Sequence, residues 1–244
     1  MIRWLSPLVL LGVWELISVS GLASPRKLPA PGAIWAATLE VAGNGQLGAG
    51  LAVSAGRMAL GFVIGALVAV VLGTLTGLSR WADLILDPLV QMVRNVPLFG
   101  LIPLFILWFG IGELPKVVLI ALAAGLPIYL NLHAGIRDTD PMLVEATSVL
   151  GYSRAQRLRH LVFPGATSQL LVGVRSGVAS AWLALVVAET IATDSGIGYM
   201  INNARDFLRT DIVIVGLLVY AVVGLAMDGA VRALQAYLLR WRRA

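Results

Sequence analysis

Cysteine is absent from the 244 residues, which excludes disulfides, thiolate metal sites and cysteine nucleophiles. Histidine is scarce: His133 and His160 are the two present, too far apart for an H-E-x-x-H metal helix. Lysine occurs only at Lys27 and Lys116, and neither ends a G-x-x-x-x-G-K-[ST] loop, so the chain carries no P-loop of its own. Charge is thin as well, at 13% of residues, where a soluble domain runs at about 25%. With 59% hydrophobic residues, a water-soluble fold would have to expose large apolar patches. The chain therefore belongs in a lipid bilayer. Its net charge of +5 comes almost entirely from arginine, as expected of basic cytoplasmic loops rather than of nucleic-acid binding.

What is present is a series of apolar runs. A bilayer core of about 30 Å takes about 20 residues of helix. Six spans are expected, at about 4–22, 58–79, 88–110, 116–136, 170–191 and 211–231, in one all-α transmembrane domain. The first lacks a small-residue cleavage site and reads as a retained span rather than a signal peptide. With the N-terminus inside, inner segments hold ten basic residues, among them Arg3, Arg137, Arg154 and the Arg240–Trp241–Arg242–Arg243 cluster. Outer segments hold six: Arg26, Lys27, Arg57, Lys116, Arg205 and Arg209. That asymmetry predicts both termini in the cytoplasm. The polar stretch 24–46, with Pro31 at a helix start, is expected along the outer interface.

The longest inner segment, 137–169, carries local helix signals. Asp140 is an N-cap with Pro141 at the first helical position, so 142–150 reads as a short helix. Gly151 suits its C-terminal cap. Ser153 and Gln156 form a capping box for a second helix, and Pro164 is expected to stop it. On these residues alone the segment reads equally as a surface connector between two spans.

Within the spans, Gly61, Gly65, Ala69, Gly73 and Gly77 recur every four residues and form a small-residue ridge; Gly173, Gly177 and Ala181 repeat it. Static helix packing explains the ridge more simply than a sliding surface. Gln91, Arg94 and Asn95 share one helical face. Arg94 is either snorkelling from an inner helix end or facing water in a path for an anion. Asn131, His133 and Glu189 read first as structural partners and second as path residues. Pro97, Pro103 and Pro127 are expected to kink helices that line a cavity.

The spacing Glu145-Ala146-Thr147, three residues, Gly151, nine residues, Leu161-Val162-Phe163-Pro164 resembles the EAA loop of permease subunits of bacterial ABC importers. The chain departs from that pattern at Thr147, Leu161 and Phe163 and keeps Glu145, Gly151 and Pro164 in register. Leu28-Pro29-Ala30-Pro31, Asp87-Pro88-Leu89, Arg94-Asn95-Val96-Pro97 and Trp108-Phe109-Gly110-Ile111-Gly112 are similar to the nitrate/sulfonate/taurine branch. Gly196-Ile197-Gly198-Tyr199-Met200 with Asn203-Ala204-Arg205-Asp206-Phe207 is similar to aliphatic sulfonate permeases in particular.

The resemblance implies a type I importer permease in the bacterial inner membrane. It implies a homodimer, paired with a cytoplasmic ATPase dimer that binds ATP and Mg and with an extracytoplasmic substrate-binding protein. The chain itself would be no enzyme and hold no cofactor, metal or nucleic acid. Glu145, Ala146, Gly151, Tyr152, Ser153, Arg154 and Pro164 would couple it to the ATPase. Arg94, Asn95, Asn131 and Glu189 are candidates for the translocation path of a small organic anion: an aliphatic sulfonate first, with nitrate, taurine or another small solute as alternatives. A membrane enzyme lacks the paired acids or metal set it would need. An ion-coupled secondary transporter lacks the midplane carboxylates and inverted repeat.

Overall fold

The computed structural model describes residues 5–20, 24, 27–191 and 193–239, and every regular element among them is helical. In chain order these are α1 (Leu5–Val19), α2 (Pro31–Gly43), α3 (Gln46–Leu78), α4 (Arg80–Asn95), a 3-10 turn (Leu98–Leu101), α5 (Ile102–Phe109) and α6 (Glu113–Arg137). Then come α7 (Pro141–Val149), α8 (Arg154–Arg157), a π turn (Leu158–Val162), α9 (Phe163–Ile191), α10 (Ile197–Asp206) and α11 (Thr210–Leu238). Among the described residues four helical runs are long and apolar enough to cross a bilayer: α3, α6, Arg154–Ile191 and α11. The bent pair α4/α5 makes a fifth if counted as one span. The fold is that of an all-α, polytopic membrane protein. The outer parts of the expected first span, and the readings placed on Arg3, Arg26 and Arg240–Arg243, lie outside the described residues.

Two compact units form, residues 1–56 with 189–223 and residues 57–188 with 224–244. In the second, α6 is the hub, with Leu119, Ile120, Ala124 and Ile128 almost wholly buried. The small-residue ridge of α3 explains how α6 is gripped. A Cβ on Gly61 would lie 2.7 Å from the Ile120 side chain, one on Gly77 2.8 Å from Ile136, and one on Gly65 would collide with the Ala121 carbonyl. From α9, a Cβ on Gly177 would lie 2.8 Å from the Ala124 carbonyl. Both ridges are therefore packing seams where backbones touch, the role small residues serve between helices in lipid.

In α4 the usual polarity is reversed. No residue of it is buried, and Trp81, Leu84, Ile85, Leu89 and Met92 form an exposed apolar stripe. Its acidic residues instead meet α6: Asp87 Oδ1 accepts from Tyr129 Oη at 2.8 Å, and Asp83 pairs with Arg137. Inward polarity is affordable where the outer surroundings are apolar and each polar group finds a partner.

Three boundaries differ from the sequence reading. The expected span 58–79 is the C-terminal part of α3, which starts at Gln46; no proline interrupts 46–57, and Arg57 is buried in an ion pair rather than ending the helix. The expected span 88–110 is not one helix. It breaks between Asn95 and Leu98, and the two pieces meet at 90°. Pro97 forces Val96 into extended backbone (ψ 132°), which ends α4. Pro103 then starts α5 rather than kinking it, and Pro127 sits inside an unbroken α6. Finally, Pro164 does not stop the helix that begins at Arg154. The π turn precedes it, with Phe163 N–H donating to Leu158 O five residues back, and the helical run passes through the proline into α9. Proline lacks an N–H and crowds the carbonyl four residues earlier, and the wider turn relieves that crowding.

In the first unit, Glu189 is fully buried yet fully engaged. Ser54 Oγ donates to its carboxylate at 2.8 Å, Tyr220 Oη at 2.8 Å and the Gly198 N–H at 3.0 Å. Ser54 Oγ in turn accepts from Ile197 N–H at 3.1 Å. One carboxylate thus gathers α3, α9, α10 and α11, since a buried acceptor is tolerated only when donors surround it. At its rim, Arg209 spans Glu40 and Asp211 at 2.7 and 3.0 Å.

Candidate coupling loop and path residues

The segment after α6 is built from local signals. Asp140 Oδ1 accepts from Met142 N–H at 2.8 Å and Pro141 opens α7. The helix ends in a Schellman motif: Gly151 N–H donates to Ser148 O at 3.1 Å and Tyr152 N–H to Thr147 O at 3.0 Å. Gly151 sits at φ +79°, a left-handed position that any side chain would strain. Ser153 and Gln156 make both bonds of a capping box and start α8. Arg157 donates to Ser148 Oγ at 2.8 Å, bracing α8 against α7 across the glycine. Tyr152 meets His160 edge-on with ring centroids 6.2 Å apart. The joint is thus a fixed elbow.

This elbow presents contacts outward. Val149 is 84% exposed and Leu150 73%, with Met142 and Tyr152 also exposed. Glu145, Ala146, Ser153 and Arg154 are exposed, and among the described residues neither Glu145 nor Arg154 enters an ion pair. Pro164 lies in the first turn of α9, past the π turn. The tip is thus apolar and rigid, flanked by an acid and a base.

The elbow follows directly from the C-terminal end of α6, where a polar ladder ties α6 to α3 and α4. Arg137 pairs with Asp83, and His133 Nε2 stands 3.6 Å from the same carboxylate. His133 Nδ1 is 2.9 Å from Thr76 Oγ1, and Tyr129 stacks on His133 at 5.7 Å. Ligand atoms of Asp83, Asp87 and His133 fall within 4.8 Å of one another. A guanidinium already on Asp83 opposes a cation there, so the group works as a hydrogen-bonded ladder.

The candidate path residues are spread over different settings. Arg94 and Asn95 are exposed in the last turn of α4; Asn95 Nδ2 donates to Gln91 O at 2.8 Å and Arg94 enters no ion pair among the described residues. Asn131 is half-buried, donating to Pro127 O at 2.8 Å. Glu189 is the buried hub described above, with its oxygens occupied by protein donors.

Sequence reading passed over a second ionic cluster. Arg57 grips Glu113 through Nε and Nη2 at 2.5 and 2.6 Å, and Lys116 Nζ reaches the same carboxylate at 3.1 Å. The i, i+3 spacing of Glu113 and Lys116 was the available signal; Arg57 is 56 residues away from Glu113 and gave none.

Comparison with known proteins identifies the family. Residues 47–239 match the family described as binding-protein-dependent transport system inner membrane component. An aliphatic sulfonates transport permease protein, SsuC, of Escherichia coli (strain K12) is 44% identical, covering 99% of this chain and 92% of that one. SsuC of Bacillus subtilis (strain 168) is 42% identical over 98% of this chain and 87% of its own length. The taurine transport system permease protein TauC of E. coli (strain K12) is 37% identical over 96% and 86%. A solved structure of an amino acid ABC transporter shares the fold, with TM-score 0.65 and 18% identity over 77% of this chain and 92% of that one. The chain belongs to the family of binding-protein-dependent transport system inner membrane components, the multi-pass permeases of ABC importers.

Proposed function

We propose that this permease carries a small organic anion, an aliphatic sulfonate, across the inner membrane. The observation that carries the proposal is the 44% and 42% identity, over nearly the whole chain, to two proteins named for aliphatic sulfonate transport. Uptake of radiolabelled alkanesulfonate, taurine and nitrate, in cells that also carry the cognate binding protein, tests it. Alkanesulfonate uptake is expected; uptake of nitrate alone overturns the sulfonate assignment.

Energy comes from a separate cytoplasmic ATPase dimer that binds ATP and Mg; the lack of a P-loop motif in this chain supports that reading. The permease pairs with a second copy of itself in the lipid bilayer, with both termini cytoplasmic. It receives substrate from an extracytoplasmic binding protein. Glu145, Ala146, Gly151, Tyr152, Ser153, Arg154 and Pro164 carry the ATPase contact: a rigid elbow transmits rigid-body motion, which a floppy loop cannot. Gly151→Pro or Glu145→Lys is expected to leave the protein inserted while abolishing substrate-stimulated ATP hydrolysis in reconstituted membranes. Normal stimulation in both variants would make the loop a mere connector.

Arg94 serves as a mild electrostatic guide for the anion, with Asn95 and Asn131 as weak polar contacts. Glu189 contributes to the path by holding its helices rather than by touching substrate. Arg94→Gln should lower sulfonate uptake with ATPase assembly intact; unchanged uptake removes the guiding role.

A further inference from the structure

We infer that Arg57 and Lys116 form an oxyanion-binding cradle for the head group of the transported anion, with the Glu113 carboxylate as an internal, exchangeable occupant. The inference rests on the anion-importer reading above and deepens it by assigning residues to the substrate.

The asymmetry of the cluster carries the argument. Both cations are deeply buried, with side chains 4% and 6% exposed, while the Glu113 side chain is 55% exposed. In an ordinary buried ion pair both partners leave water together. Here the positive side is fixed in the protein and the negative side reaches solvent. Both cations reach the same carboxylate, that of Glu113.

The geometry is general for oxyanions. Arg57 uses Nε and Nη2 on the two carboxylate oxygens, a fork that fits any pair of oxygens on one head group. A sulfonate presents three such oxygens and can take the Glu113 position on both cations. The glycines that precede Glu113 leave room around its approach. Glu113 is the first residue of α6 and follows Gly110 and Gly112, which have open space around them, with Gly110 at φ +77°. The cradle itself is rigid, since α3 and α6 touch one turn further along at Gly61 and Ile120.

Exchange suits transport. An anion entering a site already filled by a carboxylate gains only the difference between two similar pairings, so it binds weakly and leaves readily. An empty cradle with two buried cations would hold it too long. On the proposed orientation the cluster lies at the outer end of α6, where substrate arrives.

The cysteine-free chain allows a direct test. In the reconstituted permease–ATPase complex, Glu113→Cys is labelled with a thiol reagent in the presence of butanesulfonate, nitrate or uncharged butanol. Butanesulfonate should slow labelling at least fivefold and butanol not at all, and protection should vanish when Arg57→Gln is added. In uptake assays Glu113→Gln should lower KM and also lower the maximal rate. Arg57→Lys should keep assembly and raise KM.

If sulfonate is transported but neither slows labelling nor shifts KM, the pair is a structural clamp and the cradle is overturned while the substrate assignment stands. Protection and uptake with nitrate but not sulfonate keep the cradle and overturn the substrate assignment. Loss of Arg57→Gln protein from the membrane leaves the labelling of Glu113→Cys alone to decide, by the same criterion.

Discussion

Two carboxylates organise the molecule in opposite ways. Glu189 is wholly buried and satisfied by a serine, a tyrosine and a backbone N–H, all neutral. Glu113 stands half in solvent and pairs with two cations that are themselves buried. In the first case the protein surrounds an anion with dipoles fixed in three other helices. In the second it buries cations and leaves the anion at the surface. The difference teaches which charge can be exchanged. A carboxylate enclosed by donors cannot be replaced from solution, whereas one at the surface can yield to another oxyanion.

The largest expected effect comes from breaking the first arrangement. Glu189→Leu strands the donors of Ser54, Gly198 and Tyr220 in the interior, each costing roughly 1–3 kcal/mol. The purified variant should lose about 3 kcal/mol or more of stability, seen as a large fall in Tm or failure to accumulate. No small anion should restore it. Glu113→Gln should lower Tm less, and added butanesulfonate should raise it again; equal rescue of both variants, or of neither, would erase the contrast. Tyr220→Phe removes one donor while Ser54 and Gly198 stay on Glu189, so about 1 kcal/mol is expected from thermal unfolding.

The smallest effect belongs to an exposed pair. Arg209 holds the Glu40 carboxyl below its usual range, through their hydrogen bond first and charge second, and Arg209 is itself raised by the same contact. A depressed carboxyl pKa adds stability at pH values above the ordinary glutamate range, and that increment is lost as pH falls through the depressed value. Glu40→Gln should therefore lower Tm slightly at pH 7 and not at all in strong acid. A difference that persists in acid would assign Glu40 another role.

Legibility in the sequence followed the range of the interaction. The elbow was readable because Asp140, Pro141, Gly151, Ser153 and Gln156 act on neighbours within five residues. The α3 ridge was readable because its period of four is a helix period. A kink at Pro97 was expected, but its 90° was not, because a hydropathy window sums composition and is blind to direction. Arg57 and Glu113, or Ser54 and Glu189, meet only through tertiary packing, and nothing local marks either pair. In α4 the pattern was visible but its sense was not: an amphipathic stripe does not say which side faces in when the surroundings are lipid.

The π turn at Leu158–Val162 has a consequence for register. Each residue of an α-helix advances the chain by about 100°, so a turn that holds one residue more acts as a phase shift between everything before it and everything after. The azimuth at which Tyr152 and Arg154 are presented is thus set by a count of residues as well as by their identity. Deleting one residue between 158 and 162 would keep every side chain of the elbow and re-aim all of them. A loop exchanged between two permeases would carry its aim only if the whole stretch from Ser153 to Pro164 moved as a unit.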